Sequence, residues 1–113
     1  MPGFEQGDVI KVPFPYTDRP TRQSRPALVI AAGRLEREHG LLWVLMITSA
    51  ANRGWEGDLE VPDLESAGLP APSIIRTAKI ATIEAVDATR LGRVSAAVLR
   101  KIADRVAAQL RLP

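Results

Sequence analysis

Leu41-Leu42-Trp43-Val44-Leu45-Met46-Ile47 places seven apolar residues in a row between Gly40 and the polar pair Thr48-Ser49. A run this short falls far below the roughly 20 residues that a membrane span needs. It also lacks the polar alternation of a strand with one wet face, so it reads as a buried strand at the centre of a sheet. Polarity resumes abruptly at Thr48, where the strand is expected to stop. A second apolar run, Pro26 to Ala31, follows the polar lead-in Gln23-Ser24-Arg25. Proline costs nothing at the first position of a strand, because its missing N–H lies outside the ladder. It also drives Arg25 towards extended backbone. Arg25 then stands at the strand's mouth, as half of a structural ion pair or as an anion-binding group. The residues alone leave both readings open.

The remaining segments are short. After a turn at Gly7-Asp8, Val9 to Phe14 reads as a strand with Ile10, Val12 and Phe14 on its core face. Pro15 to Ser24 reads as a loop of about ten residues, a length that is often functional in a compact domain. Ala32 to Gly40 is a helical turn or a loop, and Ala50 to Gly57 is a loop carrying Asn52, Arg53 and Trp55. Asp58 to Val61 is a short strand, followed by a proline-punctuated connection from Pro62 to Pro72. Ser73 to Ile80, continuing through Ala85, forms a further strand bent or bulged near Ala78. Arg90 to Val94 is briefly extended. Ser95 is placed to N-cap a final helix running to about Leu110. Its expected apolar stripe is Leu99, Ile102, Val106 and Leu110, with Arg100 and Asp104 paired on another face. Short strands closed by one helix predict a mainly β (α+β) fold: a small, strongly bent sheet or barrel, as one domain over residues 1–113.

Composition excludes several chemistries. There is no cysteine, so disulfides, thiol catalysis and zinc–thiolate sites are absent, which fits a reducing compartment. The first residues have no basic region followed by an apolar one, so no signal peptide is expected, and a cytoplasmic location is. His39 is the single histidine; no Ser-His-Asp set is available without it, and it reads as a surface residue. Asp58, Glu60, Asp63 and Glu65 lack ligand spacing, so no metal site is expected. Net charge is only +2, but twelve of the fifteen Lys and Arg residues are arginine. Arginine is the better bidentate phosphate ligand, which leans the chain towards nucleic acid.

Four segments, in order, resemble the PemK/MazF toxin family: Gly7-Asp8-Val9-Ile10, Arg25-Pro26-Ala27-Leu28-Val29-Ile30, Ile47-Thr48-Ser49, and Pro72-Ser73-Ile74-Ile75-Arg76 running on to Thr82-Ile83-Glu84. The likeness extends from Gly7 to the terminal helix. It implies an SH3-like barrel of bent antiparallel strands closed by a C-terminal helix, usually a homodimer. It implies a cytoplasmic, cofactor-free and metal-independent endoribonuclease that cuts single-stranded mRNA and is neutralised by a cognate antitoxin. In such enzymes the ribose 2′-OH attacks its own phosphate. The resemblance assigns catalytic roles to Arg25, Thr48 and Arg76. Because a guanidinium titrates far above neutrality, Arg76 suits charge stabilisation better than proton donation. An RNA-binding set is expected from Ser49, Gln23, Lys79, Asn52 and Trp55. Trp55 is able to stack on a base or to cap the barrel's open end, and Trp43 belongs to the core or to a dimer interface. Ala78 stands where some members carry an aspartate base, and their loop histidine has no counterpart. These departures leave open a degenerate barrel that binds antitoxin, RNA or protein without cutting. A DNA-binding regulator is a third reading, disfavoured because the one good helix is amphipathic and docked.

Overall fold

The computed structural model describes residues 3–14 and 23–111, with backbone only for Phe14 and Gln23. The chain runs β1 (Asp8–Phe14), β2 (Gln23–Ala31), α1 (Gly33–His39), β3 (Leu41–Ser49), a 3₁₀ turn (Ala50–Asn52), β4 (Leu59–Glu60), α2 (Leu64–Ala67), β5 (Ser73–Glu84), a second 3₁₀ turn (Ala85–Asp87), β6 (Thr89–Arg93) and α3 (Ala96–Gln109). The strands form one antiparallel sheet in the order β4-β5-β3-β2-β1-β6, curled into a half-barrel with α3 packed on it. Most of the loop expected over Pro15 to Ser24 lies outside the described residues.

The uninterrupted apolar run of β3 has a direct cause: both faces of the strand are covered. Leu45 and Ile47 enter a cluster with Val9, Leu28 and Ile75, closed over by Val98 and Ile102 of α3. Leu42, Val44 and Met46 enter a second cluster with Ile10, Val12, Ala27 and Val29. Each fully buried Leu, Ile or Val there contributes about 1.5–3 kcal/mol. Trp43 belongs to neither; it is 46% exposed, against an apolar groove with Ile30, Leu99 and Val106.

The strand ends differ from expectation. β3 runs two residues further, pairing Thr48 with Ile74 and Ser49 with Ser73. β2 begins at Gln23, so Pro26 is inside the strand, opposite Lys11, and Arg25 is opposite Val12. Proline is tolerated because the ladder to β3 starts only at Ala27, leaving β2 a single neighbour at Pro26. The bend expected near Ala78 is a bulge: Met46 faces Arg76 and the next residue, Leu45, faces Ile80, so Thr77, Ala78 and Lys79 are extra.

The connection after β4 holds a helical turn that the prolines obscured. Asp63 caps α2, its carboxylate accepting from Ser66 N and Oγ, and Gly68 ends it at φ 71°. α2 lies so close to β6 that a Cβ at Gly68 or Gly92 would run into the backbone of Leu91 or Ala67. Ser95 does cap α3, its Oγ accepting from Val98 N at 3.2 Å. The buried residues of that helix are Val98 and Ile102, with Leu99 and Val106 half-buried. Leu110 is past the helix end and 76% exposed, so it leaves the expected stripe. Among the described residues the expected Arg100–Asp104 pair does not form; the pair at that spacing is Arg34–Glu38 in α1.

The far seam, β1 against β6, closes on Asp8. Its carboxylate is buried and accepts from Arg93 Nη1 at 2.8 Å and from the backbone N–H of Glu5 at 2.8 Å, with Arg90 Nε 3.4 Å away.

Candidate functional site

Where β1, β2 and β3 lie side by side, the ends of β2 and β3 open into a groove of about 390 Å³. One wall is polar: Lys11, Ser24 and Arg25 from the β1–β2 pair, Thr48 and Ser49 from the end of β3, and Ser73 opposite Ser49 on β5. The other wall is the segment following α2, Gly68 to Pro72, with Leu91 of β6. That wall is constrained where Gly68 packs on Leu91 in the α2–β6 contact, and at Pro70 and Pro72, whose φ is fixed by the ring.

The late end of β3 explains how the hydroxyls reach the groove. Thr48 is buried, and its Oγ1 accepts from Asn52 Nδ2 at 3.0 Å. Ser49 caps the 3₁₀ turn, its Oγ accepting from Ala51 N at 3.2 Å. Ser73 Oγ donates to the carbonyl of Ala71 at 2.8 Å. Arg25 is half-buried and Lys11 exposed. Two cations and four hydroxyls therefore border one groove, and among the described residues no carboxylate or imidazole lines it. Such a lining suits an anion carrying several acceptor oxygens, a phosphodiester being the obvious case.

Arg76 is elsewhere. Its guanidinium donates from Nε to Asp58 Oδ1 at 3.2 Å, and from Nη2 to Asp58 Oδ2 at 3.1 Å and to the main-chain carbonyl of Asn52 at 2.6 Å. Both side chains of the pair are 9% exposed. The Trp55 ring covers the guanidinium, 4.2 Å from its centroid, a cation–π contact. Burial pushes the Asp58 carboxyl up, but the Arg76 hydrogen bonds, helped by the backbone around Trp55, outweigh it and hold the carboxyl below its ordinary value. Arg105 of α3 donates to the carbonyls of Gly57 and Asp58, both at 2.9 Å. Thr77 Oγ1 donates to Gly57 O at 2.9 Å, and a Cβ at Gly57 (φ 92°) would meet that hydroxyl. The whole turn from Asn52 to Asp58 is thus pinned to β5 and α3.

The structure brings Arg25, Thr48 and Ser49 together. It places Asn52 and Trp55 in the adjoining pinned turn and Arg76 on β5 against that turn, where Trp55 covers the guanidinium. Lys79 is exposed in the β5 bulge and does not border the groove. The side chain of Gln23 lies outside the described residues. His39 is exposed at the end of α1. The spacing argument missed Lys11, although its alternation with Ile10 and Val12 marks it as facing away from their cluster. Only the register with Pro26 shows that it borders the groove. Asp58 was missed as the partner of Arg76, 18 residues away, with no local signal linking them.

No group of three or more His, Asp or Glu residues suited to a metal ion occurs among the described residues. Among them, no helix is long and apolar enough to cross a membrane.

Comparison with known proteins adds the following. The family described as PemK-like, MazF-like toxin of type II toxin–antitoxin systems matches residues 5–110. No curated protein matches the chain by sequence. Among solved structures, MazF from Deinococcus radiodurans superposes with a TM-score of 0.78 at 19% identity, covering 97% of this chain and 98% of that one. An endoribonuclease from Mycobacterial species, solved in complex with its cognate antitoxin, gives 0.75 at 19% identity over 100% and 98%. The Mycobacterium tuberculosis toxin MazF-mt6 gives 0.67 at 23% identity over 92% and 97%. At such identities these three carry the fold, and the family match carries the kinship.

Proposed function

The chain belongs to the PemK-like, MazF-like toxins of type II toxin–antitoxin systems, and from that premise we propose that it is a metal-independent endoribonuclease acting on single-stranded RNA in the groove beside Arg25. The observation that carries this reading is the groove's lining: Lys11, Arg25 and four hydroxyls, with no described carboxylate to repel a phosphate. In the proposed step the ribose 2′-oxygen bonds to the adjacent phosphorus and the bond from phosphorus to the 5′-oxygen breaks. The 2′-hydroxyl loses its proton and the departing 5′-oxygen gains one, leaving a 2′,3′-cyclic phosphate and a 5′-hydroxyl. Negative charge grows on the non-bridging oxygens, where fixed cations and hydroxyl donors act most strongly. Arg25 supplies a planar, bidentate donor, and Lys11 a mobile point charge. Thr48 and Ser49 supply hydroxyls at the end of a rigid strand. Arg76 supports the site from behind, through the turn it anchors.

An antitoxin protein as partner is part of the same reading, supported by the kinship and by the relative solved with its cognate antitoxin. So is a homodimer, for which the exposed Trp43 and its apolar surroundings supply a surface. Light scattering at tens of micromolar should return a particle of two chains, and a monomer there removes the dimer from the reading.

The purified protein should cut single-stranded RNA in excess EDTA and leave cyclic phosphate ends. Activity abolished by the chelator and restored by a divalent cation would overturn the mechanism; intact RNA at high enzyme concentration would favour a barrel that binds without cutting. Lys11→Ala should weaken RNA binding at low salt while leaving the pattern of cut sites alone. The slope of log affinity against log salt should fall by about 0.7, the value for one phosphate contact on a single strand. An unchanged slope would remove Lys11 from the RNA contact.

A further inference from the structure

The hydroxyl of Thr48 is not free to point anywhere. A threonine hydroxyl has one proton to give and two lone pairs to receive with. One lone pair takes the Asn52 Nδ2–H at 3.0 Å, so the proton is left for another acceptor. Asn52 is an exposed residue, but its backbone is held beside the groove, because its main-chain carbonyl takes the 2.6 Å bond from Arg76 Nη2. Arg76 is gripped twice by Asp58 and roofed by Trp55. Arg105 fastens the far side of the same turn to α3. The line Asp58–Arg76–Asn52–Thr48 therefore runs from a nine-tenths buried ion pair to the rim of the groove.

We infer that Asn52 is a positioning residue that holds the Thr48 hydroxyl as a hydrogen-bond donor toward a phosphate oxygen in the groove. The inference rests on the ribonuclease reading of that groove. It replaces the expected direct contact of Asn52 with RNA by action through Thr48. It also gives Thr48 a donor's role, because a hydroxyl proton aimed in this way stabilises charge on the phosphate. A donor fixed before the reaction costs no reorganisation when charge develops, so its worth falls on kcat more than on KM.

Polarity gives the test. Asn52→Ala removes the inward donor and leaves the Thr48 hydroxyl to rotate; Asn52→Asp offers a carboxylate that accepts the Thr48 proton and turns it away from the phosphate. Single-turnover cleavage of one RNA oligonucleotide is measured for both variants, in the parent and in a Thr48→Val background, alongside melting of the same preparations. Asn52→Ala should slow the step about 10-fold and Asn52→Asp about 100-fold, the range for loss of one donor to a charged oxygen. KM should stay within about 3-fold and, in the Thr48→Val background, neither change should slow cleavage further. A purely structural Asn52 would give losses that track melting, with Ala and Asp alike. That result, or an Asn52→Asp protein as fast as the parent, overturns the inference while leaving the ribonuclease reading intact. A parent protein that does not cut the oligonucleotide overturns both.

Discussion

Arg25→Ala is expected to cut RNA about 100- to 1000-fold more slowly than the parent, the cost of removing one preorganised donor from a charged transition state. The same protein should melt within a few degrees of the parent. Arg25 is half-buried at the rim of a polar wall, and an ion pair in such a setting stabilises by at most about 1 kcal/mol. Arg25→Lys should recover little of the rate, because a point charge does not reproduce the two parallel N–H donors of the guanidinium. Cleavage and melting need to be read on the same preparations. Expression of the variant without antitoxin should also relieve growth arrest. A large loss of melting temperature with proportionate loss of rate would make Arg25 a structural residue and move the active site elsewhere.

The opposite balance is expected at Asp58. Asp58→Ala leaves the Arg76 guanidinium buried without its counter-charge, a change that typically costs about 3–5 kcal/mol. For a domain of this size, whose whole stability is about 5–15 kcal/mol, the melting temperature should fall by more than 10 °C. Acid should reveal the same pair. The folded-state value of Asp58 is lowered from 3.8, so its contribution is complete above that value. It is lost as pH falls through the lowered folded one. The urea midpoint of the parent should therefore drop more steeply below about pH 4 than that of Asp58→Asn. Replacing both members together, as Asp58→Leu with Arg76→Met, should cost less than Asp58→Ala alone, since no charge is then stranded. An Asp58→Ala protein that melts with the parent would show that water reaches the guanidinium in solution.

The two substitutions mark how far the sequence could be read. The apolar runs at Pro26 and Leu41 announced strands covered on both faces, because burial on two sides needs no partner's identity to be visible. Ser95 announced α3 for a similar reason, since a cap is chemistry within three residues. What stayed hidden depended on pairing. Gln23 to Arg25, Thr48 and Ser49 are polar, and only neighbouring strands draw them into the ladder. That is why both strands were expected to end at the edge of hydrophobicity and in fact run past it. The resemblance marked Arg76 as a second catalytic cation, and nothing near it in the chain announced an acidic partner. Its counter-charge comes from a turn across the sheet. Lys11 was plainly outward-facing, yet what it faces is set by register with β2. Leu110 kept the helical spacing but lies beyond the last turn that packs on the sheet.

The seam between β1 and β6 also has a consequence in time. Asp8 and Arg93 are 85 residues apart, and Leu91 of the groove wall belongs to the same late strand. At roughly 5–20 residues per second, a ribosome making this chain needs several seconds between the first of these residues and the last. Over that interval the Asp8 carboxylate has no guanidinium, β1 has an open edge and the groove lacks a side. The half-barrel therefore cannot close, and its groove cannot assemble, until β6 has been synthesised.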